Sequence, residues 1–144
     1  MTLAGETFQA GRLAAERIAT NIRTTASGTF TAETSLQTVT AALVTGRTYR
    51  VTYRGTLQSS VGGDSARSRI REDSVSGTQL QNYRAGLPNS GAGFTADVEA
   101  EYTAVSTGNK TFAVTGERAS GTGNITASAA ADGPAYLYVH YIHG

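Results

Sequence analysis

Phe94-Thr-Ala-Asp-Val-Glu-Ala-Glu-Tyr102 decides how this chain is to be read. Phe94, Ala96, Val98, Ala100 and Tyr102 fall on one side of an extended backbone, and Thr95, Asp97, Glu99 and Glu101 on the other. Strict alternation of this kind is the mark of a β-strand with one face in a core and one in water. The same period runs outward in both directions. Residues 47–57 place Tyr49, Val51 and Tyr53 opposite Arg50, Thr52 and Arg54. Residues 65–72 set Ala66, Ser68 and Ile70 against Arg67, Arg69 and Arg71. Downstream, residues 110–118 carry Phe112 and Val114 inward.

Weaker segments fill the gaps. Residues 29–34, 36–44, 78–84 and 125–129 read as further short strands. Glycine- and serine-rich turns separate them at Gly46, 59–64, 73–77, 88–93, 106–109 and 121–124. About eight strands at this spacing, in a chain of 144 residues, predict one all-β domain, a jelly-roll-like β-sandwich.

Residues 6–23 break the period. Ala10, Ala14, Ile18 and Ile22 recur every fourth position, with Leu13 beside them, and Glu6 and Arg23 suit the two ends of a helix dipole. An N-terminal α-helix is expected here, dividing the chain into a helical attachment segment, 1–24, and a sandwich, 25–144. The narrow stripe would dock on the chain's own sheet or on copies of itself.

The last stretch, Pro134-Ala-Tyr-Leu-Tyr-Val-His-Tyr-Ile-His-Gly144, alternates differently. Tyr136, Tyr138, His140 and Ile142 face one way; Leu137, Val139, Tyr141 and His143 face the other. Neither side is made for water, so one needs a cover beyond the strand's own sandwich core. A symmetric homo-oligomer is the common solution. The tyrosine-rich even face suits a subunit contact, because interfaces supply polar partners for buried hydroxyls. Tyr136, Tyr138, His140 and Ile142, with Ala14, Ile18 and Ile22 of the helix, are the expected oligomer interface. The aliphatic odd face is assigned to the core.

Composition argues against other roles. A net charge of +1 leaves no electrostatic footprint for nucleic acid or an acidic membrane. Without cysteine there is no disulfide, thiolate or Cys-based metal chemistry. The N-terminus lacks the basic start and apolar run of a secretory signal, so synthesis in a cytoplasm is expected. His140 and His143, the two histidines, point to opposite faces and cannot share a metal on one strand. No nucleophile elbow, zinc-protease motif, phosphate loop or calcium loop occurs, and Asp97, Glu99 and Glu101 read as a solvated row. Neither enzyme activity nor a cofactor is expected. Arg50, Arg54, Arg67, Arg69 and Arg71 could be solvated likewise, or could meet those acids across a subunit boundary.

Several phrases of the chain are distinctive: Arg12-Leu-Ala-Ala-Glu-Arg-Ile18, Gly46-Arg-Thr-Tyr-Arg-Val51, Arg71-Glu-Asp-Ser74, Gly77-Thr-Gln-Leu-Gln81, Glu99-Ala-Glu-Tyr-Thr-Ala104, Ser106-Thr-Gly-Asn-Lys-Thr-Phe112, Gly121-Thr-Gly-Asn-Ile125 and the closing Tyr136–Gly144. Through them nearly the whole chain resembles a family of small virion structural proteins of tailed phages infecting actinobacteria. The resemblance implies a minor tail or fibre-tip (receptor-binding) module, or a capsid decoration protein, located in the virion. It also implies three-fold self-association, contacts to other virion proteins through the N-terminal segment, and at a tip a host surface glycan or protein. It transfers no binding residue. A carbohydrate-binding module is the alternative from another class. The chain has no Trp but seven Tyr, and Tyr53 and Tyr83 are the candidate sugar platforms.

Overall fold

A computed structural model describes residues 16–144, which form nine β-strands and no helix. They are β1 (Arg17–Arg23), β2 (Thr34–Leu43), β3 (Thr48–Ser59), β4 (Asp64–Glu72), β5 (Gln79–Leu87), β6 (Phe94–Thr103), β7 (Gly108–Ser120), β8 (Ile125–Ser128) and β9 (Ala135–His143). One sheet runs β1-β9-β3-β6, with β8 also paired to β3; the other runs β2-β7-β4-β5. β8 and β9 are two pieces of one strand, since they pair in turn with residues 56–59 and 48–54 of β3. Pro134, which has no N–H to give a ladder, lies in the break between them.

Counted this way the pairing is nested. β1 meets β9, β2 meets β7, β3 meets β6 and β4 meets β5, all antiparallel. A long hairpin is rolled so that successive pairs land in opposite sheets, the jelly-roll-like wrap expected from the strand count.

The inner faces are the apolar registers read from the sequence. Val51, Tyr53, Leu57, Ala66, Ile70, Ala96, Phe112, Val114, Leu137 and Val139 are fully buried. Gly55 is needed for its emptiness: the Tyr53 ring lies where its Cβ would be. Phe94, at the outer end of β6, is the exception, 40% exposed.

The N-terminal expectation is corrected in part. Residues 17–23, assigned to the helix, are strand β1, hydrogen-bonded to β9 over six register pairs. Ile18 and Ile22 are four apart, an even number, so one spacing serves a helical stripe and a strand face alike. β-Branched Ile18, Thr20 and Ile22 favour the strand, and β9 supplies the partner that sequence periodicity cannot show. Ala10 and Ala14, with the rest of that helix, lie outside the described residues. β1 is therefore part of the sandwich, which takes in residues before the boundary expected at residue 25. The short strand expected at 29–34 is also absent. Phe30 makes an isolated bridge to Ile125, its ring entering the core over Gly116, and Thr34 begins β2.

Candidate interaction surface

The even side of β9 faces outward at the middle of the first sheet, and cross-strand register builds a surface around it in three rows. Ile22, Tyr136, Arg54 and Asp97 make one row; Thr20, Tyr138, Thr52 and Glu99 the next; Arg17, His140, Arg50 and Glu101 the third. Tyr136, Tyr138, His140 and Ile142 are each half-buried. Their rings form a ladder, Tyr136 to Tyr138 at 5.5 Å between centroids and Tyr138 to His140 at 5.9 Å, edge to face. The Arg17 guanidinium caps the Tyr138 ring at 3.8 Å, a cation–π contact from the β1 side. Burial pushes the His140 imidazole below its ordinary pKa, and Arg17 and Arg50 add to this, against a smaller opposing pull from Glu99.

The structure thus brings together six of the seven residues expected at an interface, Tyr136, Tyr138, His140 and Ile142 on β9 with Ile18 and Ile22 on β1; Ala14 is outside the described residues. Ile18 and Ile22 are 39% and 50% exposed. On the odd side Leu137 and Val139 are fully buried, while Tyr141 packs at the core margin, 5.8 Å from Tyr49.

Between the β9 and β6 side chains a trough runs over β3. Its central part, about 320 Å³, is lined by Thr52, Arg54, Asp97, Glu99, Tyr136 and Tyr138. It continues past His140 and Ile142 as a depression of about 360 Å³, and past Gly133 and Pro134 as one of about 160 Å³. Short Thr52, between two arginines, leaves its floor open. Arg50 pairs with Glu101 at 3.3 Å, but among the described residues Arg54, Asp97 and Glu99 make no ion pair.

The arginines of β4 do something else. Arg71 holds Glu33 with two bonds, at 2.6 and 3.0 Å, and Arg69 lies between Glu33 and Glu117 at 3.3 and 3.1 Å. Arg67 reaches Glu117 at 3.4 Å, and the Thr115 hydroxyl donates to Glu33. Burial alone would raise the Glu33 carboxyl, but the Arg71 and Thr115 hydrogen bonds and the two charges bring it below the usual range. These side chains lie on the outer face of the second sheet, engaged with each other. They are neither solvated singly nor free to meet Asp97, Glu99 and Glu101.

The sugar platforms suggested by composition fall away. Tyr53 is fully buried, and Tyr83 packs against the core. Tyr136 and Tyr138 are the tyrosines that line the trough. Their alternation was legible, but their neighbours Thr52, Arg54 and Glu99 were not, since register across strands has no local signal. Among the described residues no cluster of His, Cys, Asp or Glu could hold a metal.

No protein-family model and no curated protein matches the chain. Among solved structures it is similar to a family 6 carbohydrate-binding module, at 16% identity and a TM-score of 0.42, over 87% of this chain and 88% of that one. It is also similar to VP2 of the infectious bursal disease virus subviral particle, at 12% identity and 0.45, over 91% of this chain and 31% of the other. A third is the insecticidal δ-endotoxin Cry8Ea1 of Bacillus thuringiensis, at 15% identity and 0.46, where 78% of this chain matches 19% of the toxin.

Proposed function

We propose that the protein is a structural module of a tailed-phage virion, of minor tail or fibre-tip type, that self-associates as a homotrimer through the β1–β9 flank of its first sheet. One observation carries this reading. Ile18 and Ile22 stand exposed beside the half-buried ladder of Tyr136, Tyr138 and His140, on a face that no other layer of the described chain covers. Fully burying one such side chain stabilises an assembly by roughly 1.5–3 kcal/mol. The two isoleucines supply the apolar centre, and the tyrosine hydroxyls and Arg17 supply a polar rim of the kind protein interfaces carry. The sequence resemblance to phage virion proteins supports the location, and a disulfide-free sandwich is suited to it.

Light scattering on the full chain, with mass spectrometry of purified virions, tests both halves. A trimer at micromolar concentration is expected, and Tyr138→Asp should yield folded monomers. Val139→Asp, at a fully buried position of the same strand, should instead unfold the domain. A monomeric wild-type protein would refute the self-association, and its absence from virions would refute the location.

A further inference from the structure

We propose that the trough over β3 binds an uncharged glycan chain lying along the strand. This does not depend on the virion assignment. The trough runs on in both directions, to Gly133 and Pro134 and to His140 and Ile142, and its aromatic wall extends roughly 13 Å from Tyr136 to His140 by the rise of a strand, room for a linear polymer rather than a compact ligand. Tyr136 and Tyr138 line that wall, and although Arg17 covers one face of the Tyr138 ring, the aromatic surface left is of the kind on which the C–H side of a sugar ring packs. The opposite wall and floor present Asp97 and Glu99 as acceptors and Arg54 as a planar donor. Sugar hydroxyls, each both donor and acceptor, can satisfy all three.

Charge narrows the class. Arg50 and Arg54 stand against Asp97 and Glu99, two positive groups and two negative, interleaved across one trough. Neither a polyanion nor a polycation gains from such a surface. A protein surface pressed flat on it would strip water from the unpaired Arg54, Asp97 and Glu99, a cost that apolar contact does not repay. A polyhydroxylated chain replaces that water with hydroxyl groups. The division of the sheet follows: Ile18 and Ile22 on the β1 flank suit a second copy, and the trough between β9 and β6 suits a sugar.

Native gel electrophoresis of the full chain, in gels containing mannan, xylan, galactan or glucan, with heparin as a polyanion control, tests the site. At least one neutral polysaccharide should retard the protein. Thr52→Tyr, which fills the floor, and Tyr138→Ala, which removes the wall, should each weaken that retardation roughly tenfold or more. Ile22→Asp, at a position that lines no part of the trough, should keep retardation that the other two lose. Melting curves establish that each variant is folded, and Thr52→Tyr, at a half-exposed position, decides the matter if Tyr138→Ala does not fold. The inference is overturned if no neutral polysaccharide retards the protein, if heparin alone does, or if Thr52→Tyr binds as well as wild type. It is overturned too if Ile22→Asp binds and wild type does not, since a second copy would then occupy the trough.

Discussion

Asp64 shows how much one side chain can hold. It is 3% exposed at the start of β4 and accepts hydrogen bonds from the Ser59 hydroxyl at 2.6 Å and from the backbone N–H groups of Gly123 and Thr122 at 2.8 and 3.1 Å. It therefore ties the β3–β4 turn to the turn after β7. The Ser59 hydrogen bond is the main reason its carboxyl sits below the ordinary range; the two N–H groups and Arg118 add to it, and burial opposes. A depressed carboxyl binds fewer protons folded than unfolded, so its contribution is complete above the unfolded pKa and is lost as pH falls through the folded one. Melting temperature should hold from neutral pH to about pH 5 and decline below about pH 4. In Asp64→Asn it should be lower at pH 7 and less steep in acid; calorimetry showing an Asn variant as stable and as steep would disprove this role. Gly121 has φ 102° and a Cβ there would overlap the Asp64 carboxylate, so Gly121→Ala should destabilise far more than Gly28→Ala, where there is open space.

At the scale of the element, β1 carries more than its length suggests. Its outer residues frame the aromatic ladder; on its inner side Ala19 packs against the core, and Asn21 and Arg23 are polar. The buried Gln37 of β2 donates to the backbone and side-chain oxygens of Asn21, at 2.8 and 2.9 Å. Arg23 donates to the carbonyls of Thr25 and Ala127, at 2.9 and 3.1 Å. Burial raises the pKa of the Tyr53 hydroxyl, although the nearby Arg23 charge pulls the other way. Removing residues 1–23 would strip β9 of one ladder and leave Gln37 without its Asn21 acceptors. Unsatisfied buried groups cost roughly 1–3 kcal/mol each, so the truncated chain should lose several kcal/mol or fail to fold. Urea denaturation that matches the full chain would show β1 to be an appendage after all.

For the whole molecule, the nested pairing makes nearly every sheet contact distant in sequence. Thr20 meets Tyr138, 118 positions away by subtraction, and among the nested pairs the β4–β5 hairpin, running from Arg71↔Gln79 to Asp64↔Leu87, is the local exception. Loop closure must be paid for before such contacts stabilise anything, so refolding is expected to take roughly 10 ms or longer. Stopped-flow refolding complete within a millisecond would contradict that picture. The same long reach explains why one face can combine features from four strands: the rows across β1, β9, β3 and β6 juxtapose residues that no local stretch brings together.

Alternation alone determined the class of fold and the inward residues of β3, β4, β6 and β7, because a strand's side chains obey a period of two wherever its partners lie. It also showed that the last strand has two apolar faces. Where a spacing satisfied two periods, as Ile18 and Ile22 do, the strand could not be told from a helix. The assignment of Leu137 and Val139 to the core came from their aliphatic character, and both are buried. Tertiary structure decided that Tyr53 is core and not platform, and that Arg69 and Arg71 belong to Glu33. It also decided that Arg54, Asp97 and Glu99 share a trough with two tyrosines. Periodicity says which side of a strand a residue takes; only hydrogen-bonded register says what stands beside it.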